Sequence, residues 1–339
     1  MPNIKTTFYN DPPQRENFDY GFETVSCAIC DSQEVINLPC LEAPKGGQAV
    51  ICKVCGLVYL SPRPNADFYR RFYGEQYWQE ARRAREDDLE RKIKEEDADS
   101  PKRDAFVASL ANWIKPGSKA LEVGCGFATT LRRIRDKYHC EALGIEPHKS
   151  VADIGRKIFG VNIYNGGLDD FCSIGAHNGE FDFIILHHVF EHMLDPVAAL
   201  GKLRKLLRPG GAVYIAVPDA SLGHKHVSLR HVYAYSPWTM FLLLFKAGFK
   251  ILDFTADSSL RGPLKRGINF VAAPANDHRP PMPFEFFLRG SDVLRLARKI
   301  KINEKARAIF VFLKRVFANR PFVLAMIKRF FKYIVFRLI

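Results

Sequence analysis

The chain has 339 residues, 47% hydrophobic and 26% charged, the proportions of a globular protein with one large domain and attachments. Its opening, MPNIKTTFYNDPPQ, has no apolar core of a secretory signal, and no run reaches the ~18 charge-poor apolar residues of a membrane span, so a cytoplasmic protein is expected. The net charge of +13 is uneven: residues 289–339 hold eight Arg and six Lys against two acids, a net +12, which points to an appended basic segment rather than to a nucleic-acid-binding protein as a whole.

In chain order, the first motif is a pair of C-x-x-C knuckles, CAIC (27–30) and CKVC (52–55), the second followed by Gly56. In a cytosolic chain such pairs indicate metal rather than disulfides. The 21 residues between them lie close to the about 15–20 of a zinc ribbon. Four thiolates, from Cys27, Cys30, Cys52 and Cys55, would complete a closed tetrahedron around a structural Zn2+. The ribbon, residues 22–62, is too small to fold on its own apolar core, so the metal would supply folding energy. Cys40, between the knuckles, is a spare.

Residues 63–102 read as a helical linker or lid. They carry Tyr69, Tyr73, Tyr77 and Trp78, then an almost wholly charged stretch at 80–98. Tyr73 and Tyr77 stand at helical spacing, which suits ordinary packing; the alternative is a lid over an active site.

From residue 103 to about 275, strand and helix patterns alternate. KALEVGCG, CEALGIEP, VNIYN, FDFIIL, GGAVYIAVP, KILDF and INFVAA read as strands, with helical periodicity between them. The expected fold is α/β: a doubly wound, mostly parallel seven-stranded sheet with helices on both faces. Its first loop carries Glu122, Gly124 and Gly126. The glycines turn tightly and let a ligand approach the backbone, while Glu146 closes the next strand, where a carboxylate can hold a ribose diol. Glu122 would repel a pyrophosphate but suits a ligand with a cationic amino-acid end. That favours S-adenosylmethionine over a dinucleotide.

LEVGCG, GIEP, FDFIILHHVFEHMLDP, LLRPGGAVYIAVPD and KAGFKILDF together resemble, in order and spacing, the class I S-adenosylmethionine-dependent methyltransferases. The ribbon ending in CGLVYLSPRP looks like the zinc-binding module that precedes such domains in bacterial methyltransferases of sugar and secondary metabolism. The resemblance implies S-adenosyl-L-methionine as cofactor, with Gly124 and Gly126 under its methionine part, Glu122 facing its amino group and Glu146 on its ribose. It places Leu168 and Asp169 at the adenine and gives His187 a backbone contact to the ligand. The acceptor it implies is a small or lipid-linked glycan precursor, the alternative a lipid quinone.

His188, Glu191 and His192 also spell H-x-x-E-H, a zinc-peptidase signature that requires a helix. Here the motif follows a sheet strand, where α/β folds bind ligands. In the methyltransferase reading Glu191 and His192 lie beside the transferred methyl, and His192 or His231 is the candidate base; the alternative is that Glu191 and His192 only anchor neighbouring loops by hydrogen bonds, and His224 and His226 read as loop residues. In the ubiquinone-biosynthesis O-methyltransferases, which look similar here, acids and a His of this segment hold a divalent ion, and this chain has His188 where those carry an acid. Another class of reading is a non-catalytic adaptor that binds the cofactor without turnover.

Residues 289–339 interleave aromatic and aliphatic residues with Lys and Arg, broken at Asn319 and Pro321. This suits basic amphipathic helices on an anionic membrane surface, hence peripheral attachment to the inner face of the cell membrane. Packing on the catalytic domain is the alternative, and nucleic acid the least favoured partner.

Overall fold

The computed structural model describes residues 21–38, 43–44, 46–76, 90–91, 93–94, 97, 101–220, 227–257 and 267–275. Cys40, Tyr77, Trp78, His224, His226 and the basic segment lie outside them, as does most of the charged stretch at 80–98.

The N-terminal part contains β1 (Phe22–Glu23), β2 (Val35–Asn37), β3 (Ala49–Cys52), β4 (Val58–Leu60) and β5 (Arg63–Pro64). Helix α1 (Ala66–Arg71) follows and continues as a π-helical turn, Phe72–Gln76. Asn65 starts α1 by accepting the Phe68 amide at 3.0 Å. β5 pairs antiparallel with β1, which ties Arg63 and Pro64 to the strand ahead of the first knuckle.

The central unit runs α2 (Pro101–Ser109), β6 (Lys119–Val123), α3 (Thr129–Tyr138), β7 (Glu141–Glu146), α4 (Lys149–Phe159), β8 (Asn162–Asn165), α5 (Leu168–Ser173) and β9 (Phe181–His187). A short 3-10 turn, Phe190–His192, leads to α6 (Pro196–Leu206), β10 (Leu207–Pro218), β11 (Tyr233–Ala234), α7 (Pro237–Lys246), β12 (Phe249–Asp257) and β13 (Gly267–Pro274). Local sequence sets these limits. Asp195 caps α6 with Pro196 in its first turn, and Ser236 and Thr239 form a capping box on α7 with Pro237 behind it.

The large sheet has seven strands in the order β12-β13-β10-β9-β6-β7-β8. β13 runs antiparallel to both its neighbours and the other six share one direction. This is the doubly wound, mostly parallel sheet expected. The chain starts in the middle at β6, winds outward through β7 and β8, then returns to β9 on the other flank. The crevice beyond the carboxyl ends of β6 and β9 is therefore a topological switch point, the place where such sheets bind ligands. One strand is longer than its apolar run suggests. β10 begins at Leu207, which pairs with Phe181, and the RPGG segment bulges out before pairing resumes between Ala212 and Phe183.

The sheet of the N-terminal part has four strands, in the order β11-β4-β3-β2. Its outer strand, β11, comes from the central unit: Tyr233 pairs with Tyr59 and Ala234 with Val58. One apolar core joins the two parts, with Ile51, Tyr59 and Phe72 in the same buried cluster as Phe190, Leu200 and Tyr235.

Candidate functional site

The glycine loop after β6 is tied to β7 by its backbone. Gly124 and Cys125 both donate to the Ile145 carbonyl, at 2.8 and 3.1 Å. Gly124 has φ +69°, and a Cβ there would lie 2.5 Å from Val189 Cγ2, so this glycine admits the turn after β9. Gly126 has φ +55° and a Cβ would meet nothing within 4 Å; its missing side chain opens onto the crevice. Behind it, α3 begins at Thr129 with Ala128, φ +60°, as an N-cap that offers no side-chain hydrogen bond, and the Leu131 amide of its first turn bonds Glu122.

Two buried acids flank this loop. Glu146 accepts the Gly126 amide on one oxygen at 3.0 Å and the His148 amide on the other at 2.9 Å. Each oxygen keeps a second lone pair for a ligand hydroxyl. Burial pushes the Glu146 carboxyl up to about 7, against those two backbone bonds. Glu122 is 5% exposed and its Oε2 has no hydrogen-bond partner among the described residues. Burial pushes it up to about 8, against the field of Arg103. A buried carboxylate with an orphan oxygen suits an ammonium group. The two acids and the open glycine thus fit the ribose and amino group of S-adenosyl-L-methionine.

His187 ends β9 with its ring stacked on Phe106, centroids 4.7 Å apart. Burial, and then His188, lower its pKa to about 3, so it stays neutral. Leu168 is buried under α5, and the Asp169 carboxylate faces out, 2.7 Å from Lys202 Nζ. Asn165 Nδ2 donates to the carbonyls of Glu146 and Pro147, pinning the end of β8 beside the acid.

The turn after β9 carries the second half of the site. His188 adopts φ +58°, unusual for a residue with a Cβ. Glu191 is 1% exposed, and neither carboxylate oxygen accepts a hydrogen bond among the described residues. Burial alone would raise its pKa; His188, His192 and His231 outweigh it and hold the carboxyl at about 2. His192 Nδ1 lies 2.6 Å from the Arg230 carbonyl and 3.0 Å from the Tyr73 hydroxyl, which itself donates to that carbonyl at 2.8 Å. A carbonyl only accepts, so Nδ1 carries the hydrogen and Nε2 of the neutral ring keeps its lone pair. The His231 ring stands 4.9 Å from the His192 ring. The structure thus brings Glu191, His192 and His231 together. The peptidase reading fails on geometry, because its motif needs a helix and residues 190–192 form a single 3-10 turn.

Residues 93–254 match the family model for a methyltransferase domain. Of similar proteins, the O-methyltransferase cnsE of Penicillium expansum is 27% identical over 150 residues, 41% of this chain and 54% of that protein. The ubiquinone biosynthesis O-methyltransferase of Methylococcus capsulatus is 27% identical over 126 residues, 36% of this chain and 52% of that protein. The chain spans about half the length of these relatives. Among solved structures, phosphoethanolamine N-methyltransferase 2 of Haemonchus contortus, in complex with S-adenosyl-L-methionine, aligns at 14% identity and TM-score 0.43, covering 51% of this chain and 53% of that one.

Outside the segment that matches the family model, the four knuckle cysteines converge. Cys27 Sγ lies 3.3 Å from Cys55 Sγ, and Cys30 Sγ lies 3.5 Å from Cys52 Sγ; all four are free thiols. Zinc–sulfur bonds at tetrahedral angles would set them about 3.8 Å apart. The knuckles match each other in backbone. Gly56 after the second has φ +81° and Asp31 after the first has φ +59°. Lys246, at the end of α7, binds the Asp31 carboxylate at 2.9 Å and the Ala28 carbonyl at 3.2 Å.

Two residues beyond the knuckles carry the ribbon onto the site. Arg63, 6% exposed, bonds Glu23, the Leu194 carbonyl and the Tyr233 hydroxyl. Tyr73 packs on Tyr69 and Phe72 and also bonds His192. Nothing in sequence pairs Arg63 with a loop some 130 residues away; its lone charge in an apolar run, LVYLSPRP, was the available signal.

Proposed function

We propose that this chain transfers a methyl group from S-adenosyl-L-methionine to a small or lipid-linked acceptor, a glycan precursor being the class favoured. The observation that carries the reading is the pairing of an orphaned, buried Glu122 with the open Gly126 and the ribose-ready Glu146, next to a histidine cluster at the same sheet crevice. The cofactor supplies an electrophilic methyl on a sulfonium. Glu122 neutralises its ammonium group, Glu146 accepts from its ribose, and Gly126 lets it lie against the loop. Transfer is an in-line displacement in which positioning and proton removal are the protein's main contributions. His192, with Nδ1–H fixed on Arg230, offers Nε2 to the acceptor's proton, and His231 stands beside it.

The glycan acceptor rests on the ribbon's resemblance to modules of sugar and secondary metabolism. A lipid quinone is the second reading, supported by the similarity to a ubiquinone O-methyltransferase. We further assign Zn2+ to Cys27, Cys30, Cys52 and Cys55 as a structural ion, on the convergence of the four thiols. The basic segment 289–339 is read as attaching the enzyme to an anionic membrane face.

The test supplies radiolabelled S-adenosyl-L-methionine and purified protein to an extract of cells lacking it, then partitions products between butanol and water. Label in butanol is the expected result for a lipid-linked acceptor; label in water indicates a soluble one. Absence of label in both phases, with cofactor bound, would instead support the adaptor. Glu146→Ala should weaken binding of S-adenosylhomocysteine at least about tenfold, since hydrogen bonds to a charged group contribute about 1.5–3 kcal/mol. Unchanged affinity by calorimetry removes the ribose assignment.

A further inference from the structure

We infer that Glu191, His192 and His231 form a second metal site, separate from the four cysteines, that takes a divalent first-row transition ion of the zinc type. One potential ligand atom from each residue, a carboxylate oxygen and one nitrogen of each imidazole, lies within 4.8 Å of the others. Three features make this a built site.

First, the carboxylate is prepared for a cation. Glu191 is 1% exposed and neither oxygen accepts a hydrogen bond among the described residues. His188 Nδ1 lies 3.6 Å from its Oε1, beyond hydrogen-bonding reach. Second, His192 has its outer nitrogen fixed. The Nδ1–H bond to the Arg230 carbonyl orients the ring and leaves Nε2 as the donor, the arrangement found around metal-bound imidazoles. Tyr73 buttresses the same nitrogen from the ribbon side. Third, His231 is held by a local turn: its amide donates to Ser228 Oγ at 3.3 Å and its carbonyl accepts the Ser228 amide at 3.1 Å.

The donor set fixes the ion class. Two imidazoles and one carboxylate suit Zn2+ and its neighbours; Mg2+ and Ca2+ prefer all-oxygen shells. Three protein ligands leave a fourth position open, as in catalytic rather than structural zinc sites. The set also differs from the one implied by the sequence resemblance, because the third ligand comes from the loop before β11 and not from position 188. The ion's use, unlike its presence, rests on the proposed methyl transfer. With the ion bound, His192 Nε2 serves as a ligand in place of its role as base, and an acceptor hydroxyl in the open position loses its proton to water more readily. The resulting oxygen attacks the methyl carbon, the O–C bond forms, and the C–S bond breaks with its electron pair passing to sulfur.

The experiment titrates Co2+ into full-length protein purified with zinc in the ribbon, and follows the visible spectrum and metal content together. Wild type should take up one further equivalent whose absorption lacks a thiolate charge-transfer band. Glu191→Gln and His231→Ala should each weaken that equivalent by more than about 100-fold, since loss of an outer-shell partner alone costs 10–100-fold. His188→Ala should retain it. Glu191→Gln preserves shape, and an unchanged melting temperature with ribbon zinc retained shows that the fold survives; His231→Gln serves if the alanine variant does not fold. No further equivalent in wild type, or loss in His188→Ala with retention in His231→Ala, overturns the site. None of these readouts needs turnover, so failure of the metal site and failure of the methyl-transfer reading are told apart.

Discussion

Glu122 is the residue at which burial and function pull in opposite directions. Its carboxyl titrates near 8 in the ligand-free fold against 4.5 ordinarily. Between those values the folded chain holds a proton that the unfolded chain has lost. Stability of the ligand-free protein therefore falls as pH rises from about 4.5 to about 8, by at most about 1.4 kcal/mol per unit from this group. Glu146, raised to about 7, acts in the same sense over the lower part of that window. A ligand with a cationic amino group selects the ionised form, so its affinity should rise with pH across the same range. Thermal melts from pH 5 to 8, with and without S-adenosylhomocysteine, should show the free protein losing stability while the ligand-induced increment grows. Glu122→Gln should flatten both trends; an unaltered pH dependence in that variant would remove Glu122 from the cofactor site. The sequence made this acid legible through its place before the glycines. It did not reveal that Gly124 and Gly126 have different tasks. That distinction depends on Val189, whose methyl occupies the space a Cβ at position 124 would need.

At the scale of elements, the ribbon and the turn after β9 depend on each other. Arg63 and Tyr73 bond the Leu194 and Arg230 carbonyls, and β11 completes the ribbon's sheet. Loss of one thiolate should therefore be felt at the candidate site. Cys55→Ser is expected to lower bound zinc, to open the β4–β11 edge to amide exchange, and to reduce methyl transfer by at least tenfold, roughly 1.4 kcal/mol at 25 °C. Hydrogen exchange resolved by peptide is the measurement. Normal protection of residues 233–235 in the zinc-depleted variant would show that the ribbon is merely attached. Strand and helix limits were largely readable, because buried parallel strands such as FDFIIL are continuous apolar runs. The reversal of β13 and the extension of β10 through RPGG were not, since neither pairing direction nor a bulge leaves a periodic trace.

For the whole molecule, charge is the clearest asymmetry. Nearly all of the +13 sits in residues 289–339. No helix among the described residues is long and apolar enough to cross a membrane. If the basic segment is the attachment, removing residues 289–339 should abolish co-sedimentation with anionic vesicles, and salt should weaken the intact chain's binding, with about 1 kcal/mol at stake per cation near the surface. Equal sedimentation of both forms would sink the idea. The site as a whole was only half legible. The side with Glu122, Gly126 and Glu146 lies in two adjacent strand–loop motifs, where order along the chain mirrors order in space. The histidine side draws on Tyr73, Glu191, His192 and His231, and only folding brings position 73 against position 192.

The pairing of Tyr59 with Tyr233 also sets a timetable for synthesis. The ribbon's cysteines emerge from the ribosome early, yet the strand that closes their sheet emerges some 170 residues later. At about 5–20 residues per second the nascent knuckles wait on the order of ten seconds or more without that edge. During that interval a four-thiol cluster must keep its metal, or its reduced state, on an unfinished sheet with an unpaired and aggregation-prone margin. A fragment ending before residue 233 would make that interim condition permanent.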